Sequence, residues 1–260
     1  MNRTSRFRFG YLPVAAIVYA LLLVPVLLII ITSLTTASVP TIPTDGLSLE
    51  WYAELAGDDQ IISALVVSTV VAVSSSIISG LIGTITAFGF VRSDFPYKQT
   101  VSTVLLLPLM ISPVITGLAI VQYAGMIRLP GDYPALILGH VVLTLPYVFL
   151  IIRARLVTFD ETLEQASLIM GANRLETTLN VTLPIIAPSV FTGGLIAFVV
   201  SFGEFTATQF LISPGTTTVP VIIYTELRTG LTPTISALAT VLAVIMLVAA
   251  ILGEASGGDA

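Results

Sequence analysis

From Tyr11 to Thr32 the chain carries no charged residue. A run of that length is what a helix needs to cross the hydrocarbon layer of a bilayer, roughly 20 residues. With no water in that layer, the backbone must satisfy its own hydrogen bonds, and a helix does so within the segment. Five further apolar stretches follow, at about residues 61–91, 100–123, 134–152, 185–212 and 234–252. Of the 260 residues, 55% are hydrophobic and 10% charged, more apolar surface than a soluble domain can bury. The expected fold class is therefore all-α. Residues 1–260 form a single polytopic membrane helix bundle with six transmembrane helices. The first run is read as an uncleaved span, because the apolar core of a signal peptide is much shorter and a small-x-small cleavage site does not follow. Pro25 is a candidate kink within it.

The basic residues orient the bundle. With both termini cytoplasmic, Arg3, Arg6, Arg8, Arg92, Lys98, Arg153, Arg155 and Arg174 lie inside, and Arg128 and Arg228 lie outside. That is eight against two, as positive-inside charge bias demands, and the reversed topology violates it by the same margin. The outer loop 35–60 is acidic and places Trp51 beside Tyr52, rings that favour the membrane interface. A short helix lying there is expected, as an anchor in preference to a contact for an outer partner.

Several chemistries are excluded. The chain has no cysteine, so it holds no disulfide framework, thiolate metal site or Cys nucleophile. Its one lysine, Lys98, is flanked by Tyr97 and Gln99, so there is no P-loop and no ATP site of that kind. His-Glu-x-x-His and Gly-x-Ser-x-Gly patterns are missing. A net charge of −5 without a basic patch gives nothing for nucleic acid to bind. The chain is not expected to be an enzyme or to hold a cofactor or metal.

Within the spans, Ser79, Gly83 and Ala87 recur at four-residue steps, a stripe that lets another helix approach closely. Pro108 and Pro113 interrupt the backbone bonding of the third span. His140, the one histidine, reads as a hydrogen-bonding pin between helices, with a place on a translocation path as the alternative. Glu204 lies well inside an apolar segment with Gln209 five residues on. A carboxylate there either lines a water-filled cavity and attracts a cationic substrate, or is hydrogen-bonded to a neighbouring span, or lies near the outer end and reaches water.

Residues 158–184 are the longest polar interruption, with Asp160, Glu161, Glu164, Arg174 and Glu176 in close succession. They read as two short amphipathic helices around a glycine. Thr158 with Glu161 fits one capping box and Asn173 with Glu176 a second. Leu163, Ala166 and Met170 share one face, and Leu175, Leu179 and Leu183 another. Gly171 sits where the first helix should end, and Pro184 is expected to stop the second. A connecting loop and a docking element both fit this pattern.

The motif Gln165-Ala166-Ser167, three residues, Gly171, nine residues, Val181-Thr182-Leu183-Pro184 resembles the EAA loop of ATP-binding-cassette importer permeases. Gln165 stands where the motif has Glu, and Glu164 precedes it, about 100° round the helix. The run from Gly139-His140 to Arg153-Ala154-Arg155-Leu156 is similar to the polyamine-type (spermidine or putrescine) subgroup, and Ser201-Phe202-Gly203-Glu204-Phe205 is similar to the family at large. The resemblance implies a permease subunit in the cell membrane that works by alternating access. It implies two separate ATP-binding subunits, a second permease subunit (a copy or a sister chain) and an extracytoplasmic substrate-binding protein. Glu164, Gln165, Ala166, Ser167, Gly171, Leu183 and Pro184 would couple to the ATPase. Relatives carry iron, thiamine, sulfate, molybdate or phosphonates as well as polyamines. An ion-coupled secondary transporter or channel acting alone is the other class that Glu204 and the proline-bearing spans fit.

Overall fold

A computed structural model describes residues 12–38, 46–230 and 232–257. Arg3, Arg6, Arg8 and Asp45 lie outside the described residues. Among those described, β-structure is limited to the isolated bridges Thr35–Leu47 and Ser213–Thr216, and the rest of the regular structure is helical. The chain divides into two compact units, one of residues 1–62 with 223–244, the other of residues 63–222 with 245–260.

In the first unit, α1 (Leu12–Ser33) continues through Pro25, and its apolar side chains are exposed nearly all round. An apolar surface of that kind is suited to lipid and not to water. The short helix α2 (Glu50–Gly57) is fastened to the end of α1. Trp51 Nε1 donates to the Thr35 carbonyl at 2.6 Å, and the Tyr52 and Ser33 hydroxyls meet at 2.7 Å. The two aromatic rings therefore tether α2 by their polar tips.

The second unit is built round α6 (Asp132–Val157), with α3 (Asp59–Arg92) and α9 (Leu183–Phe202) packed on it. The Ser79–Gly83–Ala87 stripe makes the α3 contact. Ser79 Oγ meets Thr144 Oγ1 at 2.7 Å, Ala87 is fully buried, and Gly83 lies so near α6 that a Cβ there would stand 2.8 Å from Val148 Cγ1. Phe90, Phe149, Ile152, Leu156 and Ile186 fill the core at one end, and Val67, Val71, Ile120, Leu136 and Leu211 the core at the other.

Five described helices are long and apolar enough to cross a membrane, six crossings if one bent pair counts as a span. That pair is α4 (Lys98–Met110) and α5 (Pro113–Met126), which meet at 105° where a continuous span 100–123 was expected. Pro113 explains the break. It pushes Ser112 into extended backbone (ψ 133°) and then occupies the first turn of α5, where its missing N–H costs nothing. Pro108, by contrast, lies inside α4.

The fifth apolar stretch also differs from its expected course. Its helix ends at Phe202, and a turn at Gly203 leads to α10 (Thr208–Leu211). The loop expected at 213–233 contains α11 (Val219–Leu227), whose start is fixed by the Val219 N–H donating to Ser68 Oγ at 2.9 Å. The last helix, α12, covers Pro233–Gly257.

Candidate functional site

Beyond α6 the chain forms α7 (Glu161–Ile169) and α8 (Arg174–Thr177), which opens through a π-helical turn, Thr178–Thr182, directly into α9. The cap of α7 is Asp160, which accepts the Thr162 N–H at 3.0 Å. The Thr162 hydroxyl, followed by that N–H, holds the Asp160 carboxyl below its ordinary value, so the cap stays charged at neutral pH. Thr158 is not the cap. Its hydroxyl donates back to the Ala154 and Arg155 carbonyls, finishing α6 instead. The expected capping box at the second start is present, with Asn173 Oδ1 accepting from the Glu176 N–H and Glu176 Oε2 from the Asn173 N–H, each at 2.9 Å.

Between the two helices Gly171 has φ +96°, a conformation that L side chains rarely adopt. The Gly171 N–H donates to the Leu168 carbonyl at 3.0 Å and the Ala172 N–H to the Ser167 carbonyl at 3.2 Å. This is the paired closure of a Schellman end, and it fixes the angle at which the chain leaves α7. The buried hydroxyls of Ser167 and Thr177, 3.0 Å apart, then hold α7 and α8 together.

Pro184 does not end the second helix. A proline ring clashes with the carbonyl four residues back, and the wider π turn just before α9 relieves that clash. Helical structure therefore runs unbroken from Arg174 to Phe202. Pro184 is exposed and Leu183 half-buried.

Glu164 and Gln165 point different ways. Gln165 and Ala166 are exposed. Glu164 is turned inward, where its Oε1 accepts from Arg92 Nη2 at 2.9 Å and from Thr182 Oγ1 at 2.7 Å. Arg92 reaches Glu161 with Nη1 at 2.6 Å, and its guanidinium lies 5.6 Å from the Phe159 ring centre. The apolar edge of the element points outward. Ile169 is 85% exposed, Met170 83% and Leu175 69%.

The other sequence candidates lie elsewhere in the same unit. His140 is buried, with Nδ1 2.7 Å from Ser201 Oγ and Nε2 3.0 Å from Thr208 Oγ1. Thr208 donates to the Glu204 carbonyl, and Ser75 donates to Ser201. One assignment satisfies every member: Nε2–H donates to Thr208, and the Ser201 hydroxyl donates to Nδ1. The ring thus joins α6, α9 and α10, with α3 behind Ser201. Glu204 lies in the break between α9 and α10 and Gln209 in the first turn of α10, both half-buried. Glu204 Oε1 accepts the Ala207 N–H at 2.8 Å, and Gln209 Nε2 donates to the Thr206 carbonyl at 3.2 Å. These three residues are not joined to the 158–184 element by any hydrogen bond among the described residues.

A helix–turn–helix of this kind, set between two long apolar helices, coincides with a match to a sequence model. The model described as "Binding-protein-dependent transport system inner membrane component" matches residues 79–256. The chain belongs to this family. As a member of it, the chain is a multi-pass membrane permease component of an ATP-binding-cassette importer, and not an enzyme. It is 33% identical over 231 residues to the putrescine transport system permease protein PotI of Escherichia coli strain K12, covering 86% of this chain and 82% of that protein. To the spermidine/putrescine transport system permease protein PotC of Haemophilus influenzae it is 27% identical over 238 residues, covering 92% of each. A crystal structure of a bacterial ABC transporter that imports alginate contains a chain of the same fold. Its TM-score is 0.75 at 18% identity, over 99% of this chain and 96% of that one.

Sequence reasoning missed Arg92, Thr182, Ser201 and Thr208 as members of these clusters. Arg92 stood out only as a charge at a span end. Ser201 and Thr208 pair with His140 across 61 and 68 residues, and Thr182 pairs with Glu164 across 18, so none leaves a local spacing signal.

Proposed function

We propose that this chain forms part of the path by which an importer carries a polyamine such as putrescine or spermidine across the cell membrane. In this reading a separate ATPase drives it through residues 158–184. Two ATP-binding subunits, a second permease subunit and an extracytoplasmic binding protein complete the machine. The observation that carries the reading is the outward apolar edge of a rigid element. Ile169, Met170 and Leu175 stay exposed while caps, the Gly171 turn and the Ser167–Thr177 contact hold their backbone still. Such an edge is suited to a groove on a partner. The names of the relatives PotI and PotC support the solute class. Glu204 and Gln209, half-buried at a helix break, are the polar side chains proposed for the path, where a carboxylate would attract a cation. His140 serves as the pin that holds that break.

The test is a reconstituted transporter with Gly171→Pro. Proline cannot adopt φ +96° and removes the N–H that closes on Leu168. ATP-dependent putrescine uptake is expected to be lost while the protein still inserts in the membrane. Uptake at the normal rate would sink the coupling role, and uptake without nucleotide would favour an ion-coupled carrier.

A further inference from the structure

Glu164 does not replace the acid missing at Gln165 on the docking face, because its carboxylate is already engaged inside the protein. Its side chain is 21% exposed, against 66% for Glu161. One oxygen receives both the Arg92 guanidinium and the Thr182 hydroxyl. Arg92 is the last residue of α3. Thr182 is the last residue of the π turn that opens into α9. A single carboxylate on α7 is therefore tied to the ends of two long helices.

We infer that Glu164 and Arg92 are positioning residues that make α7 move together with α3 and α9 when the ATPase acts. The inference rests on the coupling role proposed above. A π turn is a local widening of the helix and a place where it can bend. Without a brace across it, a push on α7 and α8 would be absorbed between Thr178 and Thr182. The Thr182–Glu164 bond spans that soft place, and the Arg92 pair carries the same push into α3. Of the two ion pairs, the one at Glu161 is open to solvent and contributes little. The one at Glu164 is sheltered and is a charge-assisted bond with a second donor. The docking face is left with the neutral Gln165 in the place of an acid.

The experiment uses the assembled transporter in lipid vesicles, with putrescine as the probe solute. The variants are Glu164→Gln, Arg92→Gln, Glu161→Gln and the exchange of Arg92→Glu with Glu164→Arg. Three quantities are read: the ATPase subunit retained on purification, the putrescine imported per ATP hydrolysed, and the ATP-induced change in labelling of a single cysteine at Ile85 of α3. Glu164→Gln and Arg92→Gln are expected to keep the ATPase subunit yet lower import per ATP by about fivefold or more, the low end of an allosteric coupling. The labelling change should shrink with it. Glu161→Gln should stay within about twofold, as for an exposed pair, and the exchange should restore much of the loss. Unchanged import per ATP in Glu164→Gln and Arg92→Gln, with the subunit bound, overturns the inference. So does loss of the subunit from Glu164→Gln, which would make Glu164 a docking residue. An ATPase missing from the wild-type assembly would overturn the coupling role itself, and the labelling and retention measurements tell these failures apart.

Discussion

Both ring nitrogens of His140 face hydroxyls supplied by segments 61 and 68 residues away, and the arrangement admits one consistent set of donors. Removing the ring leaves the buried Ser201 and Thr208 hydroxyls each short of one bonding partner. His140→Ala should therefore cost about 1–2 kcal/mol, at the upper end for a hydrogen-bonded side chain within a membrane bundle. The check is thermal unfolding in detergent, set beside uptake per folded molecule. A pin predicts a lower unfolding temperature with uptake falling only as folded protein falls. A path residue predicts lost uptake at unchanged stability. The sequence revealed that a histidine lay in a span, but its partners were illegible because serine and threonine in apolar runs look alike whichever way they face. Asn173 and Glu176 were legible for the opposite reason, since a capping box lies within four residues of chain.

At the scale of elements, α3 carries three glycines, Gly80, Gly83 and Gly89, of which the four-residue stripe singles out Gly83. A Cβ on Gly83 would press on Val148 at 2.8 Å, whereas Gly80 has nothing within 4 Å. Gly83→Ala is therefore expected to destabilise the α3–α6 contact by about 1–3 kcal/mol through overpacking. Gly80→Ala should be neutral, or stabilising by about 0.5–1 kcal/mol, from helix propensity. Parallel melting curves of the two variants decide the matter, and equal shifts would contradict this packing. The four-residue stripe had already marked which face would pack. The same contrast holds for the prolines. Pro108 is carried inside a helix, Pro113 turns the chain by 105°, and Pro184 is absorbed by a π turn. Proline states that one backbone bond is lost, and the neighbouring packing decides how the chain responds. The helix classes were therefore legible, while the break at Ser112 and the unbroken run from Arg174 to Phe202 were not.

At the scale of the whole molecule, charge predicts a topology. Arg92, Lys98, Arg153, Arg155 and Arg174 gather at one end of the long helices, and Arg128 lies at the other end of α6. A 26-residue helix is about 39 Å long, enough to put its ends on opposite sides of the hydrocarbon layer. The positive-inside bias then predicts that Met170 faces the cytoplasm and Gly131 the outer side. The chain has no cysteine, so single cysteines introduced at Met170 and Gly131 can report this directly. Met170 is 83% exposed and Gly131 also lies at the surface. In intact cells, an impermeant maleimide should label the Gly131 position and reach the Met170 position only after the membrane is opened. In opened membranes, the ATPase subunit should shield Met170 and leave Gly131 unaffected. Labelling of Met170 in intact cells would invert the topology and remove the 158–184 element from the compartment that holds ATP. The correct sidedness without shielding would leave the bundle oriented as charge demands but place the docking surface elsewhere.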